Sequence, residues 1–159
     1  AKQLGMRNTH FRNSTGLPDA MQKTTVEDLA KLGLAIRQHF PQYYHLFSKT
    51  SFTYNGKVYS GHNRVTKNYP GAEGLKTGYI AASGFNLITT ATRQNQSLIG
   101  IVVGGKTQNE RDQKMVTLLD KHFADRNKKT KSLYVKTSSK PQPQKNKYLA
   151  KSKDKKISS

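Results

Sequence analysis

The chain has 159 residues, with 28 Lys and Arg against 9 Asp and Glu and a formal net charge of +19, so its length allows one domain or one domain with a tail. It contains no Cys, which excludes disulfides, a thiol nucleophile and Cys-based metal sites. Its longest apolar stretch, residues 98–103, is far shorter than the ~20 residues of a membrane-spanning helix, and no signal peptide is visible.

Charge is unevenly distributed along the chain. Residues 126–159 contain 12 Lys and Arg, one acid, seven apolar residues and no Gly, whereas residues 1–125 contain 46 apolar residues and all 12 Gly. A segment this poor in apolar residues cannot bury enough surface to offset the entropy lost on ordering. The composition therefore predicts a folded domain over residues 1–125 and a disordered Lys-rich tail over residues 126–159.

The first predicted elements are a turn, a loop and a helix. Residues 1–6 are typical of the end of a helix stopped by Gly5, which predicts that the chain is the C-terminal part of a longer protein. Residues 7–23 are rich in turn-forming residues and predict an ordered loop. A helix is predicted over about residues 25–39, opened by a capping box of Thr24 and Glu27. Its predicted apolar face comprises Leu29, Leu32, Gly33, Ile36 and Phe40.

The middle of the chain is rich in strand-forming residues. Asn55-Gly56 predicts a hairpin over residues 51–59. Further strands are predicted near residues 75–79, 84–93 and 97–103, with a turn at Gln94-Asn95-Gln96. Because their connections are short, these three strands are expected to form an antiparallel meander.

A second helix is predicted over about residues 108–124, where Thr107 and Glu110 form another capping box. Its apolar face comprises Met115, Leu118, Leu119 and Phe123. That face should pack on one side of the sheet, so the expected fold class is α+β, an antiparallel sheet covered by a C-terminal helix.

The tripeptide Lys76-Thr77-Gly78 lies inside a predicted strand. A Gly in the middle of a strand costs stability and usually marks the close approach of a ligand or another backbone. Strand alternation places Lys76 and Gly78 on one face and Thr77 on the other. At a sheet edge, such a strand can pair with an extended peptide. The alternative interpretation is an ordinary strand with one exposed Lys.

Several stretches, taken together, resemble the serine-type D-alanyl-D-alanine carboxypeptidases, the low-molecular-mass penicillin-binding proteins of peptidase family S11. The resemblance covers about residues 1–125 in the family's order. The matching segments are Leu4-Gly5-Met6, Thr9-His10-Phe11, Asn13, Gly16-Leu17, residues 25–36, residues 52–56, Asn63-Arg64, Gly71, residues 73–79, residues 83–87, Gly104-Gly105 and Arg111. It implies part of a DD-peptidase fold, which is similar to the β-lactamase fold, with two strands and a helical lobe expected upstream of residue 1.

The family's active site is shared by three motifs. An SxxK helix supplies the nucleophilic Ser and its activating Lys, an SxN motif assists proton transfer, and the KTG strand binds substrate. The resemblance implies that Lys76 and Thr77 contact the terminal carboxylate of a peptide and that Gly78 leaves room for backbone pairing. It also implies that Tyr79 contributes an oxyanion-hole N–H.

Two arginines match family positions. Arg111 matches an Arg near the terminal carboxylate, where a guanidinium can donate two parallel hydrogen bonds. The alternative for Arg111 is an exposed charge in the first turn of a helix. Arg64 is a weaker candidate for the same kind of role.

The catalytic motifs themselves are missing from residues 1–159. There is no S-x-N, and the one S-x-x-K, Ser152 to Lys155, lies in the Lys-rich tail after the KTG strand. The nucleophile and its Lys are therefore expected upstream of residue 1, and this chain alone is expected to be inactive. Whether such a truncation is natural is left open by the sequence.

Other kinds of site find little support. The five His show no metal-ligand spacing with a carboxylate, and a Gly-x-Ser-x-Gly elbow is absent. Gly104 to Thr107 is similar to the end of a P-loop but lacks the upstream Gly at the required spacing. No metal or organic cofactor is expected, and His10 is interpreted as structural.

The alternative class is a non-catalytic basic protein. A net charge of +19 with a Lys-rich tail is compatible with binding to an anionic wall polymer, a lipid surface or nucleic acid. No nucleic-acid-binding motif is present, so a specific nucleic-acid partner is not expected. A solvated tail without a partner is the simplest alternative.

The resemblance implies a reaction and a location. The complete enzyme would remove the terminal D-Ala from a peptidoglycan stem peptide ending in D-Ala-D-Ala through an acyl-enzyme, and β-lactams would mimic that terminus. The expected location is the periplasm or the outer face of the cytoplasmic membrane. The sequence leaves open the preference between carboxypeptidase, endopeptidase and transpeptidase activity, the oligomeric state and the role of the tail.

Overall fold

The structure is a computed structural model that describes residues 1–137 and the side chains of residues 1–126. Residues Ala1–Arg126 form one compact unit. None of the described helices is long and apolar enough to cross a membrane. Short 3-10 turns lie at Lys2–Leu4 and His45–Ser48, and the remaining elements in chain order are α1 (Val26–His39), α2 (Pro41–Tyr44), β1 (Ser51–Tyr54), β2 (Lys57–Ser60), α3 (Arg64–Asn68), β3 (Ala72–Ile80), β4 (Gly84–Arg93), β5 (Gln96–Gly105) and α4 (Gln108–Thr137).

The predicted meander is confirmed. The strands β3, β4 and β5 form an antiparallel sheet in that order, and β1 and β2 form the separate predicted hairpin. Asn55 and Gly56 both have positive φ, 46° and 71°, as the turn of a two-residue hairpin requires. The β4–β5 turn has two residues rather than the predicted three, because Gln96 already pairs with Arg93.

The main core lies between the sheet and α4. Met115, Leu119 and Phe123 are buried together with Leu87 and Val102 of the sheet. The predicted apolar face of α4 is therefore confirmed, and Leu118 packs partly buried at its border. Because this stripe is buried on the sheet, the position of α4 is fixed. The residues of its first turn are thereby held in place as well.

The opposite face of the sheet is covered by α1. An added Cβ at the buried Gly33 would lie only 2.6 Å from Ile99 Cδ1 and 2.9 Å from Ile88 Cδ1. The helix therefore lies close to the sheet here, and an Ala would require these Ile side chains to move. Phe40, predicted on the buried face, is instead 52% exposed, because it is the C-cap residue of α1 and its φ of −130° has left helical geometry.

The N-terminus of α1 is capped one residue later than predicted. Thr25, not Thr24, accepts a hydrogen bond through its side chain, from the backbone N–H of Asp28 at 3.2 Å. Asp28 is 1% exposed and accepts from Asn8 N and Thr9 Oγ1, each at 2.8 Å. This buried carboxylate thereby ties the N-terminal loop to α1.

The C-terminal helix α4 is longer than predicted, since it continues to Thr137 instead of ending near residue 124. The first part of the segment predicted to be disordered is therefore helical. Residues 126–137 contain neither Gly nor Pro and several Lys, and Lys has high helix propensity. The rest of the predicted disordered tail, residues 138–159, lies outside the described residues.

Asp28 makes the stability of the fold depend on pH. The Lys31 ammonium, 2.8 Å away, and the donors Thr9 and Asn8 hold the pKa of Asp28 below its usual value against the opposing effect of burial. A lowered pKa contributes stability that is present above the unfolded-state pKa, about 3.9, and is lost as the pH falls through the folded-state value.

We therefore expect Asp28→Asn to lower the thermal midpoint at pH 7, with a smaller difference from the wild type as the pH falls below about 4. Thermal denaturation followed by circular dichroism across pH 2–7 measures this. The control is Asp125→Asn, which changes an exposed carboxylate and should leave the midpoint at pH 7 nearly unchanged. A pH-independent deficit in Asp28→Asn would contradict the assignment.

Candidate active site

The tripeptide Lys76-Thr77-Gly78 lies on β3, an edge strand of the three-stranded sheet. Lys76 pairs with Ile88, Thr77 with Leu87 and Gly78 with Asn86. Because facing residues share a side of a sheet, Thr77 lies on the same side as the buried Leu87. One side of β3 pairs with β4, and among the described strands none pairs with its other side. The backbone of β3 can therefore accept an extended peptide.

Gly78 has no structural reason within the described residues to be glycine. Its φ is not positive, and an added Cβ would meet no atom within 4 Å. The other glycine of β3, Gly74, differs in both respects, because its φ is 122° and an added Cβ would clash with Phe47. The space beside Gly78 is thus open on the exposed edge of the sheet, where a ligand could approach the backbone.

A cavity of about 320 Å³ lies beside this edge. Five of the six candidate residues, all but Arg64, contribute to its wall, which is lined by His62, Lys76, Thr77, Gly78, Tyr79, Phe85, Gln108 and Arg111. The structure therefore brings the KTG strand and the first turn of α4 to one place. His62, Phe85 and Gln108 were not singled out from the sequence. Gln108 donates to the carbonyl of His62 at 3.2 Å, a contact between residues 46 positions apart that no local pattern signals.

Arg111 is not the exposed helix-surface charge of the alternative interpretation. It is 3% exposed and lies in the first turn of α4, which is capped by Thr107 accepting from Glu110 N at 3.1 Å. Its Nε and Nη2 donate to Asp112 Oδ1 at 2.9 and 2.6 Å, and its Nη1 donates to the Asn86 carbonyl at 3.5 Å. The guanidinium is therefore held on two sides where it borders the cavity.

Asp112 joins Arg111 to the second candidate arginine. The other oxygen of Asp112, Oδ2, accepts from Arg64 Nε at 2.9 Å. Asp112 is 8% exposed, whereas the Arg64 side chain is 47% exposed. Arg64 does not line the cavity; it reaches the site only through the carboxylate.

The remaining predicted residues are more exposed. The ammonium group of Lys76 donates a hydrogen bond to the carbonyl of Thr77. The ring of Tyr79, 60% exposed, lies over that of Phe85, with centroids 4.5 Å apart. Together these rings give one wall of the cavity an apolar surface beside the cationic groups. No cluster of three or more potential metal ligands occurs among the described residues.

A second cavity, of about 370 Å³, lies between α1 and the sheet. It shares Lys76, Thr77 and Gly78 with the first cavity, but most of its other residues are apolar, including Leu29, Ile36 and Phe47. It holds no charged side chain other than Lys76. An anionic ligand would therefore be better accommodated in the cavity beside Arg111.

Solved structures share this fold. Penicillin-binding protein 5 from Haemophilus influenzae matches with a TM-score of 0.73 and 32% identity, over 77% of this chain and 36% of that chain. Penicillin-Binding Protein D2 from Listeria monocytogenes, solved in the ampicillin-bound form, matches with a TM-score of 0.65 and 29% identity, over 73% and 50% of the respective chains. The fold is thus part of the penicillin-binding DD-peptidase fold, as predicted.

Sequence comparison leads to the same class. A profile of the D-alanyl-D-alanine carboxypeptidase family, peptidase S11, matches residues 1–107, and the chain belongs to this family. The D-alanyl-D-alanine carboxypeptidase DacD of Salmonella typhimurium is 35% identical over 119 residues, which are 74% of this chain and 30% of that protein. The chain spans about 30% of the length of the curated relatives it matches. The profile match includes Lys76–Tyr79 and ends before Arg111.

Proposed function

We propose that residues 1–126 form the substrate-binding wall of a serine-type D-alanyl-D-alanine carboxypeptidase. The observation that carries the proposal is the edge of β3 that pairs with no described strand, where Lys76, Thr77, Gly78 and Arg111 border one cavity. A peptide ending in D-Ala-D-Ala would lie antiparallel or parallel along β3, and its terminal carboxylate would receive hydrogen bonds from Thr77, Lys76 and Arg111. Charge-assisted bonds of this kind contribute about 1.5–3 kcal/mol each.

Gly78 and Tyr79 would act through the backbone. The open space at Gly78 lets the peptide backbone approach the strand, and the N–H of Tyr79 would stabilise the oxyanion of the tetrahedral intermediate. Acylation of a Ser would be followed by hydrolysis, with no metal or organic cofactor in the proposed reaction. β-Lactams would occupy the same place, consistent with the ampicillin-bound relative.

The nucleophilic Ser and its Lys are proposed to lie outside these 159 residues. The sequence has no S-x-N, and its one S-x-x-K is Ser152 to Lys155, which lies outside the described residues. The proposed substrate is that of the family, a peptidoglycan stem peptide. The proposed location is also that of the family, the periplasm or the outer face of the cytoplasmic membrane. Contact of the Lys-rich segment with an anionic surface stays a prediction.

We expect residues 1–159 to form no covalent adduct with a labelled penicillin, because no Ser of the described fold is paired with a motif Lys. Mass spectrometry of the intact chain after incubation measures this, with a complete family carboxypeptidase as the positive control. An adduct traced to one Ser of this chain would show that the nucleophile lies within it and would contradict the assignment.

Binding of the carboxylate can be tested on the chain itself. We expect N-acetyl-D-Ala-D-Ala to shift the amide resonances of residues 76–79 and of Arg111 in a ¹⁵N-labelled sample, and the C-terminal amide of the same peptide to bind at least about tenfold more weakly. Equal binding of acid and amide would contradict a carboxylate site.

A further inference from the structure

The contact between Arg111 and Asp112 is unusual for neighbours on a helix. Consecutive helical residues project in different directions and do not ordinarily face each other. Here Arg111 nevertheless donates twice to Asp112 Oδ1, at 2.9 Å from Nε and 2.6 Å from Nη2. The arginine therefore folds back beside its own neighbour instead of extending from the helix.

This pairing determines which donors of Arg111 remain for a ligand. A guanidinium carries five N–H groups, one on Nε and two on each terminal nitrogen. Asp112 takes one from Nε and one from Nη2, and the Asn86 carbonyl takes one from Nη1. One N–H then remains on each terminal nitrogen, so both terminal nitrogens can still donate to a carboxylate.

Arg64 sets the charge of the cluster. Two guanidinium groups and one carboxylate leave a net charge of +1, with Arg64 Nε at 2.9 Å from Asp112 Oδ2. Without Arg64, the pair of Arg111 and Asp112 would be neutral and would attract an anion less strongly. Without Asp112, Arg111, which is only 3% exposed, would lose the carboxylate that pairs with it and so its fixed orientation.

We propose that Asp112 is a positioning residue that orients Arg111 for the substrate carboxylate, and that Arg64, by sharing Asp112, keeps the net charge of the three-residue cluster at +1. This inference rests on the proposed function, because Arg111 must bind a carboxylate for its orientation to matter. It gives Arg64 a role exerted through Asp112 rather than by contact with the ligand.

The test compares N-acetyl-D-Ala-D-Ala with its C-terminal amide, using NMR titrations of the whole ¹⁵N-labelled chain. In Asp112→Asn we expect the affinity ratio of acid to amide to fall on the order of tenfold, and the Arg111 Nε–H signal to lose protection from exchange. In Arg64→Gln we expect the ratio to fall about threefold. Arg64→Gln should keep the wild-type fold, since it changes a side chain that is 47% exposed.

Asp120→Asn is the matched control, because Asp120 is on the same helix and pairs with Arg93 Nη1 at 3.4 Å. It should leave the acid-to-amide ratio unchanged. If Asp112→Asn and Arg64→Gln change the thermal midpoint but keep the wild-type ratio, the cluster is only structural and the inference is wrong. If the wild type itself binds acid and amide equally, the proposed function fails, and the inference with it.

Discussion

Replacing Gly78 with Ala should stabilise the chain and weaken its binding of N-acetyl-D-Ala-D-Ala at the same time. Nothing lies within 4 Å of an added Cβ, and φ is not positive, so the loss of glycine's backbone freedom should stabilise the strand by about 0.5–1 kcal/mol. A ligand that pairs with β3 would meet the new methyl group, and its affinity should fall by about tenfold or more. Thermal denaturation and the same NMR titration measure the two effects.

Gly74→Ala, on the same strand, is the matched control for this prediction. Gly74 has a φ of 122°, and an added Cβ would lie 2.9 Å from the Phe47 carbonyl oxygen, so we expect it to destabilise the fold by about 1–3 kcal/mol through backbone strain and overpacking. The opposite signs of the two stability changes separate a glycine required by packing from one that leaves room for a ligand. Unchanged peptide binding in Gly78→Ala would contradict pairing along this strand.

The second large effect is expected for Arg111→Ala. This substitution removes the guanidinium from the cavity wall, and we therefore expect the affinity for N-acetyl-D-Ala-D-Ala to fall by roughly one to two orders of magnitude. The C-terminal amide should lose little, since it lacks the charge that Arg111 binds. In an enzyme that unites these residues with the nucleophile, kcat/KM should fall by a similar factor.

Two further variants show whether the effect of Arg111→Ala is specific. Arg111→Lys keeps the charge but lacks the planar fork, so it should recover only part of the affinity. Arg93→Ala removes another arginine, one that lies over the ring of Tyr69 at 4.2 Å, and should change stability without changing the preference for the acid. An Arg111→Ala variant that binds the free acid like the wild type would leave the carboxylate to Lys76 and Thr77 alone.

Local patterns in the sequence predicted most of the fold. The hairpin at Asn55-Gly56 depends on two adjacent residues that tolerate positive φ, and the buried face of α4 depends on apolar residues at helical spacing. Both signals lie within short segments, so they can be recognised without knowledge of the tertiary structure. The end of α4 was predicted too early, because a drop in apolar content was interpreted as the end of the helix, although Lys-rich sequence can remain helical.

The residues of the candidate site were predicted through the KTG motif and its resemblance to a family, but the long-range contacts of the fold and of the site were not. Asp28 lies one residue beyond the predicted capping box, and its partners Asn8 and Thr9 are 20 and 19 positions away. The contact between Arg111 and Asp112 was not predicted, since adjacent helical residues ordinarily diverge. Such contacts depend on where the sheet places α3 and α4, which no short pattern encodes.

The central claim is that a peptide ending in D-Ala-D-Ala binds along the edge of β3 that pairs with no described strand, with its carboxylate at Arg111. The most direct measurement is the set of intermolecular nuclear Overhauser effects between N-acetyl-D-Ala-D-Ala and the labelled chain. We predict contacts from the alanine methyl groups to the Hα atoms of Gly78 and to the ring of Tyr79. Contacts confined to Leu29, Ile36 and Phe47, in the apolar cavity beneath α1, would contradict the account.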